Sequence, residues 1–96
     1  MADPARSNFA SLSTHCRVCG FDLGRPPWGA DERRPTFEIC PCCGGESGYE
    51  DCDPRGAARS RAKWLARGAR WFRPNARPAN WSLDDQLRLV PERFRD

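Results

Sequence analysis

The apolar residues of this chain fall in short groups that polar, proline-containing segments separate. Residues 36–39, Thr-Phe-Glu-Ile, alternate polar and apolar positions and predict a short β-strand. Asp53 and Pro54 predict the start of a helix, because an acidic N-cap followed by proline at the first helical position is a preferred beginning. Residues 57–66 have high helix propensity, and Gly68 is a stop signal for that helix.

A second helical segment is expected further along the chain. Trp71 and Phe72 repeat the apolar pair of the first helix seven residues later, which leaves open a longer first helix. Residues 73–80 hold two prolines and two asparagines and predict an extended connector. Ser82 predicts the N-cap of a second helix in a variant of the capping box, and Pro91 predicts its end.

The length of 96 residues predicts one domain with a thin core, which often needs a metal or a partner for stability. Its expected organisation is a flexible leader over 1–14, a zinc-ribbon portion over 15–53, a helical portion over 54–90 and a tail over 91–96. The large apolar side chains of these portions are the candidate core: Phe21, Phe37, Ile39, Trp64, Leu65, Trp71, Phe72, Trp81, Leu83 and Leu87.

Two Cys-x-x-Cys-Gly motifs are the strongest chemical signal. Cys16 and Cys19 form the first pair, and Cys40 and Cys43 form the second, with 20 residues between the pairs. Such motifs form tight turns, and two of them facing each other place four thiolates around one ion. A site with four protein ligands has no open position for water, so the spacing predicts one structural Zn²⁺.

Other uses of the six cysteines remain open at this stage. Two disulfides, unrelated free thiols or an iron ion in a rubredoxin-like site would need the same residues. Cys42 permits a shifted register in which it replaces Cys43 as a ligand. Cys42 and Cys52 are otherwise expected to be spare reduced thiols, although oxidation could join them. His15, beside Cys16, is a substitute ligand that four cysteines make unnecessary.

Charge and the N-terminal sequence restrict the compartment and the partner only weakly. The formal charge of +3 becomes about +1 once four thiolates hold one divalent ion. Residues 1–15 lack the apolar run of a secretory signal, and no stretch is long enough for a membrane span. A cytoplasmic protein is therefore expected.

The second cysteine motif, Cys-Pro-Cys-Cys-Gly at 40–44, and the Gly-Tyr-Glu-Asp at 48–51 resemble the bacterial cysteine-rich CPCC domain family. The resemblance extends through residues 63–72, 78–81 and 85–87, so it covers about residues 15–90. It implies a small metal-binding protein of the zinc-ribbon or rubredoxin-like type. Short proteins similar to these occur beside toxin genes, which implies a possible immunity role.

The chain departs from that family in two places. Gly45 stands where such proteins usually carry an aromatic residue after the second motif. The loop 24–35, with Trp28, is also individual to this chain. The resemblance therefore supports a prediction of the fold better than a prediction of the partner.

Two charged surfaces are candidates for contact with a partner. Trp28 and an acidic cluster could face a basic protein such as a nuclease toxin; that cluster is Glu46, Glu50, Asp51 and Asp53. Residues 55–73 contain seven basic residues and no acid, with Trp64, Trp71 and Phe72 among them. Basic and aromatic side chains together bind nucleic acid, here through Arg59, Arg67 and Arg70. Solvated arginines beside aromatics that fill the core would give the same pattern.

The sequence shows no convincing catalytic arrangement, so no enzyme is expected. The predicted fold is a small α+β zinc ribbon, in which two turns with a short β-hairpin precede one or two helices. The predicted function is a zinc-stabilised protein-binding module, in its most concrete form an immunity protein that neutralises a bacterial toxin. A nucleic-acid-binding zinc ribbon that uses the basic helix is the alternative.

Overall fold

A computed structural model describes residues 13–95 of the chain. Along this part run two α-helices, α1 (Pro54–Ala66) and α2 (Leu83–Leu87), and two short 3-10 helices, Pro74–Ala76 and Glu92–Phe94. The flexible leader predicted over 1–14 lies, for residues 1–12, outside the described residues. Within the described range no helix has the length and apolar character that crossing a membrane would require.

Local sequence signals set both ends of α1. The Asp53 side chain accepts a hydrogen bond of 2.7 Å from the Gly56 amide and caps the first turn. At the other end, Gly68 takes a positive φ of 89°, and the Ala69 amide bonds back to Trp64 O at 2.9 Å. This closes the helix in the Schellman manner, which needs a glycine-like conformation. The predicted start at residues 53–54 and the stop at Gly68 are confirmed, so α1 does not continue to Trp71.

The second helix, α2, is shorter than its apolar stripe suggests. The Ser82 hydroxyl accepts from the Asp85 amide at 3.3 Å, as the capping pattern predicts. The helix ends at Leu87. From there to Val90 the chain forms hydrogen-bonded turns.

The prediction of a zinc ribbon with a β-hairpin is wrong. Residues 13–95 contain no β-strand, only two isolated antiparallel bridges, His15–Asp22 and Ile39–Glu46. Phe37 has a φ of +59°, so the expected strand at 36–39 is broken at its second residue. Each bridge flanks one of the two cysteine turns, and each turn has only this single pair of bridged residues. A ladder of several paired residues therefore does not form.

The core lies where α1 and the C-terminal segment pack against the two cysteine turns. Trp64 and Val90 are the largest fully buried apolar side chains besides the cysteines. Trp71 packs edge-on against Phe21 and Trp81, with ring centroids 5.5 and 5.4 Å away. The aromatic residues therefore cover one side of the paired turns.

The predicted core is partly correct. Trp64 and Trp71 are buried, and four candidates are partly buried, namely Phe21, Trp81, Leu83 and Leu87. The other four are exposed: Phe37, Ile39, Leu65 and Phe72. Phe94, in the segment predicted as a tail, is only 4% exposed and belongs to the core.

Candidate metal centre

The first cysteine motif folds into a tight turn closed by its own backbone. The Cys16 amide donates to Phe21 O at 2.8 Å, and the Gly20 amide donates back to Cys16 O at 2.9 Å. The His15–Asp22 bridge flanks this turn. Gly20 adopts a φ of +87°, a conformation that residues with a Cβ atom rarely adopt.

The second motif forms the same two backbone hydrogen bonds as the first. The Cys40 amide donates to Gly45 O at 2.8 Å, and the Gly44 amide donates to Cys40 O at 2.9 Å. The Ile39–Glu46 bridge stands where the other bridge stands in the first turn. Two equal sequence motifs thus form two equal turns.

The two turns bring four sulfur atoms to one point. Cys16 Sγ lies 3.8 Å from Cys43 Sγ, and Cys19 Sγ lies 3.7 Å from Cys40 Sγ. All four sulfurs lie within 4.8 Å of one another, and each cysteine is at most 8% exposed. A tetrahedron with Zn–S bonds of about 2.3 Å has edges of about 3.8 Å. The cluster therefore has the spacing to hold a single metal ion, and its fourth member is Cys43 and not Cys42.

Two backbone amides face the sulfurs of the cluster, and the crowded thiols affect one another's protonation. The Val18 amide points at Cys16 Sγ and the Gly45 amide at Cys43 Sγ, both at 3.4 Å. Hydrogen bonding from the Cys16 thiol lowers the pKa of Cys40. The same neighbour raises the pKa of Cys19 and of Cys43, because the crowded thiols share their protons. A cation replaces those protons when it binds.

Arg61 of α1 ties the helix to the first turn. Its guanidinium donates to Val18 O at 2.7 Å, to Arg17 O at 3.1 Å and to Phe94 O at 2.7 Å. Arg61 is only 7% exposed, so these bonds form in a buried environment. One side chain thus holds α1, the first turn and the C-terminal 3-10 helix together.

Gln86 of α2 fastens the other side of the cluster. Its side-chain amide donates to Cys19 O and to Cys42 Sγ, both at 3.2 Å. Its oxygen accepts from Trp81 Nε1 at 2.8 Å. Cys42 is fully buried beside the cluster, and hydrogen bonding with Cys19 and Gln86 lowers its pKa. Both Cys42 and Cys52 are free thiols, and Cys52 is exposed.

Trp28 and Asp51 contact each other within the chain, with Asp51 buried and Trp28 partly buried. The Trp28 indole donates to the Asp51 carboxylate at 3.0 Å, which also accepts from the Gly48 amide at 2.8 Å. Arg17 lies between two rings, with its guanidinium carbon 4.3 Å from the centroids of both Trp28 and Phe94. Burial lowers the pKa of Arg17, although the nearby Asp51 opposes this effect.

The other acids of the predicted cluster also make contacts within the chain. The Glu50 carboxylate accepts from the Glu46 amide at 2.6 Å. Asp53 caps α1. Glu46 contributes its backbone to the bridge with Ile39. The acidic residues are therefore close in space, but three of their four carboxylates hold local backbone.

The predicted basic residues are the ones that remain open to solvent. Arg59, Arg67 and Arg70 are exposed, and within residues 13–95 no hydrogen bond or ion pair engages their guanidinium groups. No sequence pattern indicated the roles of Arg17, Arg61 and Gln86, because a polar residue whose partners lie far along the chain carries no local signal of burial. The only hint was the position of Arg61 four residues after Ala57 and three before Trp64, on the buried side of α1.

Comparisons with known proteins leave the family open. No family model matches the chain, so its place in the CPCC family stays a prediction. Over 42 residues it is 50% identical to a protein of Bacillus subtilis (strain 168) named "Uncharacterized protein YoaQ". That match covers 42% of this chain and 36% of the relative, so the chain spans about a third of the relative's length. No solved structure matches.

Proposed function

We propose that the protein is a non-catalytic binding module stabilised by one structural zinc ion. Four buried thiols fill all positions of a tetrahedral shell, which leaves no site on the ion for water or substrate. Zinc is the usual ion of such paired turns, and iron binds in the same geometry. A reducing cytoplasm is the proposed compartment, because thiolate ligands and the exposed Cys52 persist there.

The ligand we propose is nucleic acid, bound through a basic face. This face is defined as six exposed cations of α1, its C-cap and the segment that follows: Arg59, Lys63, Arg67, Arg70, Arg73 and Arg77. Arg59 and Lys63 of α1 and the C-cap Arg67 follow one another at intervals of four and therefore lie on one side of the helix. Arginine and lysine side chains without acidic partners are available to neutralise phosphates.

The observation that carries this proposal is a contrast in bonding between the basic and the acidic residues, which share one hollow where Glu50 and Asp53 lie beside Arg59 and Lys63. Within the described part of the chain, no ion pair occupies any member of the basic face. Three of the four acids expected to meet a protein partner, by contrast, accept hydrogen bonds from nearby backbone amides or from Trp28. The contacts therefore favour the alternative that the sequence ranked second.

Anisotropy of a labelled oligonucleotide at 50 and 200 mM salt tests the proposal. The triple variant Arg59→Gln, Lys63→Gln, Arg67→Gln should lose at least about tenfold in affinity, and its salt slope should fall by about 2. The control, Arg33→Gln, Arg34→Gln, Arg88→Gln, removes the same charge from other exposed positions and should bind nearly like the wild type. Absence of binding at 50 mM salt, or equal losses in both variants, would refute the proposal.

A protein partner, in the form of a toxin that this chain neutralises, is the second candidate. Its support is an exposed apolar group beside the second turn: Phe37 is 62% exposed, Ile39 47% and Tyr49 78%. Phe37 also holds a left-handed backbone conformation, which a bulky residue adopts at a cost. Rescue of growth on co-expression with a toxic neighbouring gene, lost in Phe37→Ser, would favour this candidate, and failure of rescue would count against it.

A further inference from the structure

The connector after α1 forms a groove that differs from the rest of the basic face. It has a volume of about 410 Å³ and is lined by Gly68, Ala69, Arg70, Trp71, Pro74, Arg77 and Trp81. This volume lies within the range of small-ligand sites, about 300–1,000 Å³. Its lining includes two arginines and no carboxylate, so it suits an anionic ligand.

We infer that this groove binds single-stranded nucleic acid, with an unpaired base stacked on Trp81 and phosphates held by Arg70 and Arg77. The inference rests on the proposed function and specifies its ligand. Stacking on aromatic rings requires bases that are not buried in a duplex. A concave site with a ring and two cations in its lining therefore selects a single strand.

Trp81 is a fixed platform within this groove. Its indole N–H donates to Gln86 Oε1 at 2.8 Å, and its ring stands edge-on to Trp71 at 5.4 Å. Gln86 is itself bonded to Cys19 O. The ring orientation is thus set by the metal centre before any ligand binds, which lowers the ordering cost of binding.

Trp71 lines the groove, but its own indole N–H is buried. Trp71 is 8% exposed, and its Nε1 has no hydrogen-bond partner in the described structure. A buried donor without an acceptor is costly. The Trp71 ring therefore contributes to the groove by packing against Trp81 and not through this N–H.

The groove continues along the connector, so it can hold more than one nucleotide. A second hollow, of about 570 Å³, is lined by Phe72, Arg73, Pro74, Asn75 and Ala76 and shares Pro74 with the first. Phe72 is 53% exposed, so it offers a second ring for stacking. The Phe72 amide bonds to Cys42 O at 2.9 Å, which holds this segment on the second cysteine turn.

The experiment compares a labelled 12-nucleotide oligo-dT with a 12-base-pair duplex on the zinc-loaded protein. The single strand should bind at least about tenfold more tightly than the duplex. Trp81→Leu should lose about tenfold, as removal of a stacking ring does, whereas Trp81→Phe keeps a ring and most of the affinity. Arg77→Gln should weaken binding and lower the salt slope by about 0.7. Arg33→Gln is the control for charge.

The outcomes separate this inference from the proposed function. If the triple variant on α1 loses binding while Arg77→Gln and both Trp81 variants bind like the wild type, the groove is not the site but the proposed function stands. If neither oligonucleotide binds at 50 mM salt, both fail. Equally tight binding of poly-glutamate would overturn the role of stacking and assign an acidic protein instead. Zinc content and circular dichroism show whether Trp81→Leu is folded. If Trp81→Leu is unfolded, Arg77→Gln still tests the groove.

Discussion

Arg61 Nε donates a 2.7 Å hydrogen bond to the backbone oxygen of Val18, which lies between the two cysteines of the first turn. A helix residue thus stabilises the metal ligands of a segment 43 residues earlier in the chain. The same guanidinium reaches Arg17 O and Phe94 O. Three carbonyl oxygens from two distant segments therefore depend on one side chain.

Arg61→Leu should lower the free energy of unfolding by about 3 kcal/mol or more, because it leaves buried carbonyl groups without donors. Arg61→Lys should recover only part of this, since an ammonium cannot reproduce the planar fork. Arg59→Leu, two residues away and exposed, should change stability by less than about 0.5 kcal/mol. Urea unfolding measures all three, and equal stabilities of Arg61→Leu and Arg59→Leu would contradict the role of Arg61.

A comparison of alanine substitutions at Gly20 and Gly24 tests the packing of α2 against the first turn. Both have positive φ values, 87° and 82°, so alanine costs about 1–2 kcal/mol of backbone strain at either position. A Cβ at Gly20 would overlap Gln86 O and lie 3.1 Å from Val90 N, whereas Gly24 has no neighbour within 4 Å. Gly20→Ala should therefore cost about 1–3 kcal/mol more than Gly24→Ala in thermal or urea unfolding. Equal costs would mean that α2 does not pack against the first turn.

Removing the metal should largely unfold the protein, because a chain this small buries little else. Cys16→Ser and Cys43→Ser should lose both the metal and the cooperative thermal transition. Cys52→Ser, which changes an exposed thiol, should keep one metal per chain and melt like the wild type.

Cys42→Ala tests the register of the second motif in the same assay. It should retain one metal per chain but unfold about 1–2 kcal/mol more easily, because Gln86 loses an acceptor and a small cavity forms. Metal loss in Cys42→Ala with retention in Cys43→Ala would reverse the assignment of the ligands.

Trp28 was expected to contact a partner, and its contacts predict a role in stability instead. Trp28→Phe keeps a ring against Arg17 but removes the donor to Asp51, and should cost about 1–3 kcal/mol. Tyr49→Ala, which changes an exposed ring, should cost less than about 0.5 kcal/mol. If Trp28→Phe unfolds like the wild type, the contact with Asp51 contributes nothing to stability.

The features that the sequence predicted correctly depend on short-range spacing. Cysteines three residues apart with a following glycine form the same turn in both motifs, so the four cysteines that come together could be identified directly. Asp53, Pro54 and Gly68 act on backbone groups within one helical turn of themselves, so the limits of α1 followed as well.

The wrong prediction of a β-hairpin shows that a local sequence pattern cannot predict the pairing of strands. Alternation at 36–39 predicts a strand only if a partner strand pairs with it over several residues. Here the cysteine turn admits one bridge, and Phe37 turns to a positive φ. The Phe37 side chain is exposed as a result. Phe94, from a segment expected to be a tail, is buried in the core instead.

The sequence by itself determined the two cysteine turns, their glycines and the ends of α1, because each depends on residues close together in the chain. Only the tertiary structure decided which polar residues are buried. Arg61 and Gln86 find their partners 43 and 67 residues away, and Asp51 accepts a hydrogen bond from a loop indole. Such pairings follow no periodic pattern in the sequence, and the same contacts leave the cations of the basic face exposed.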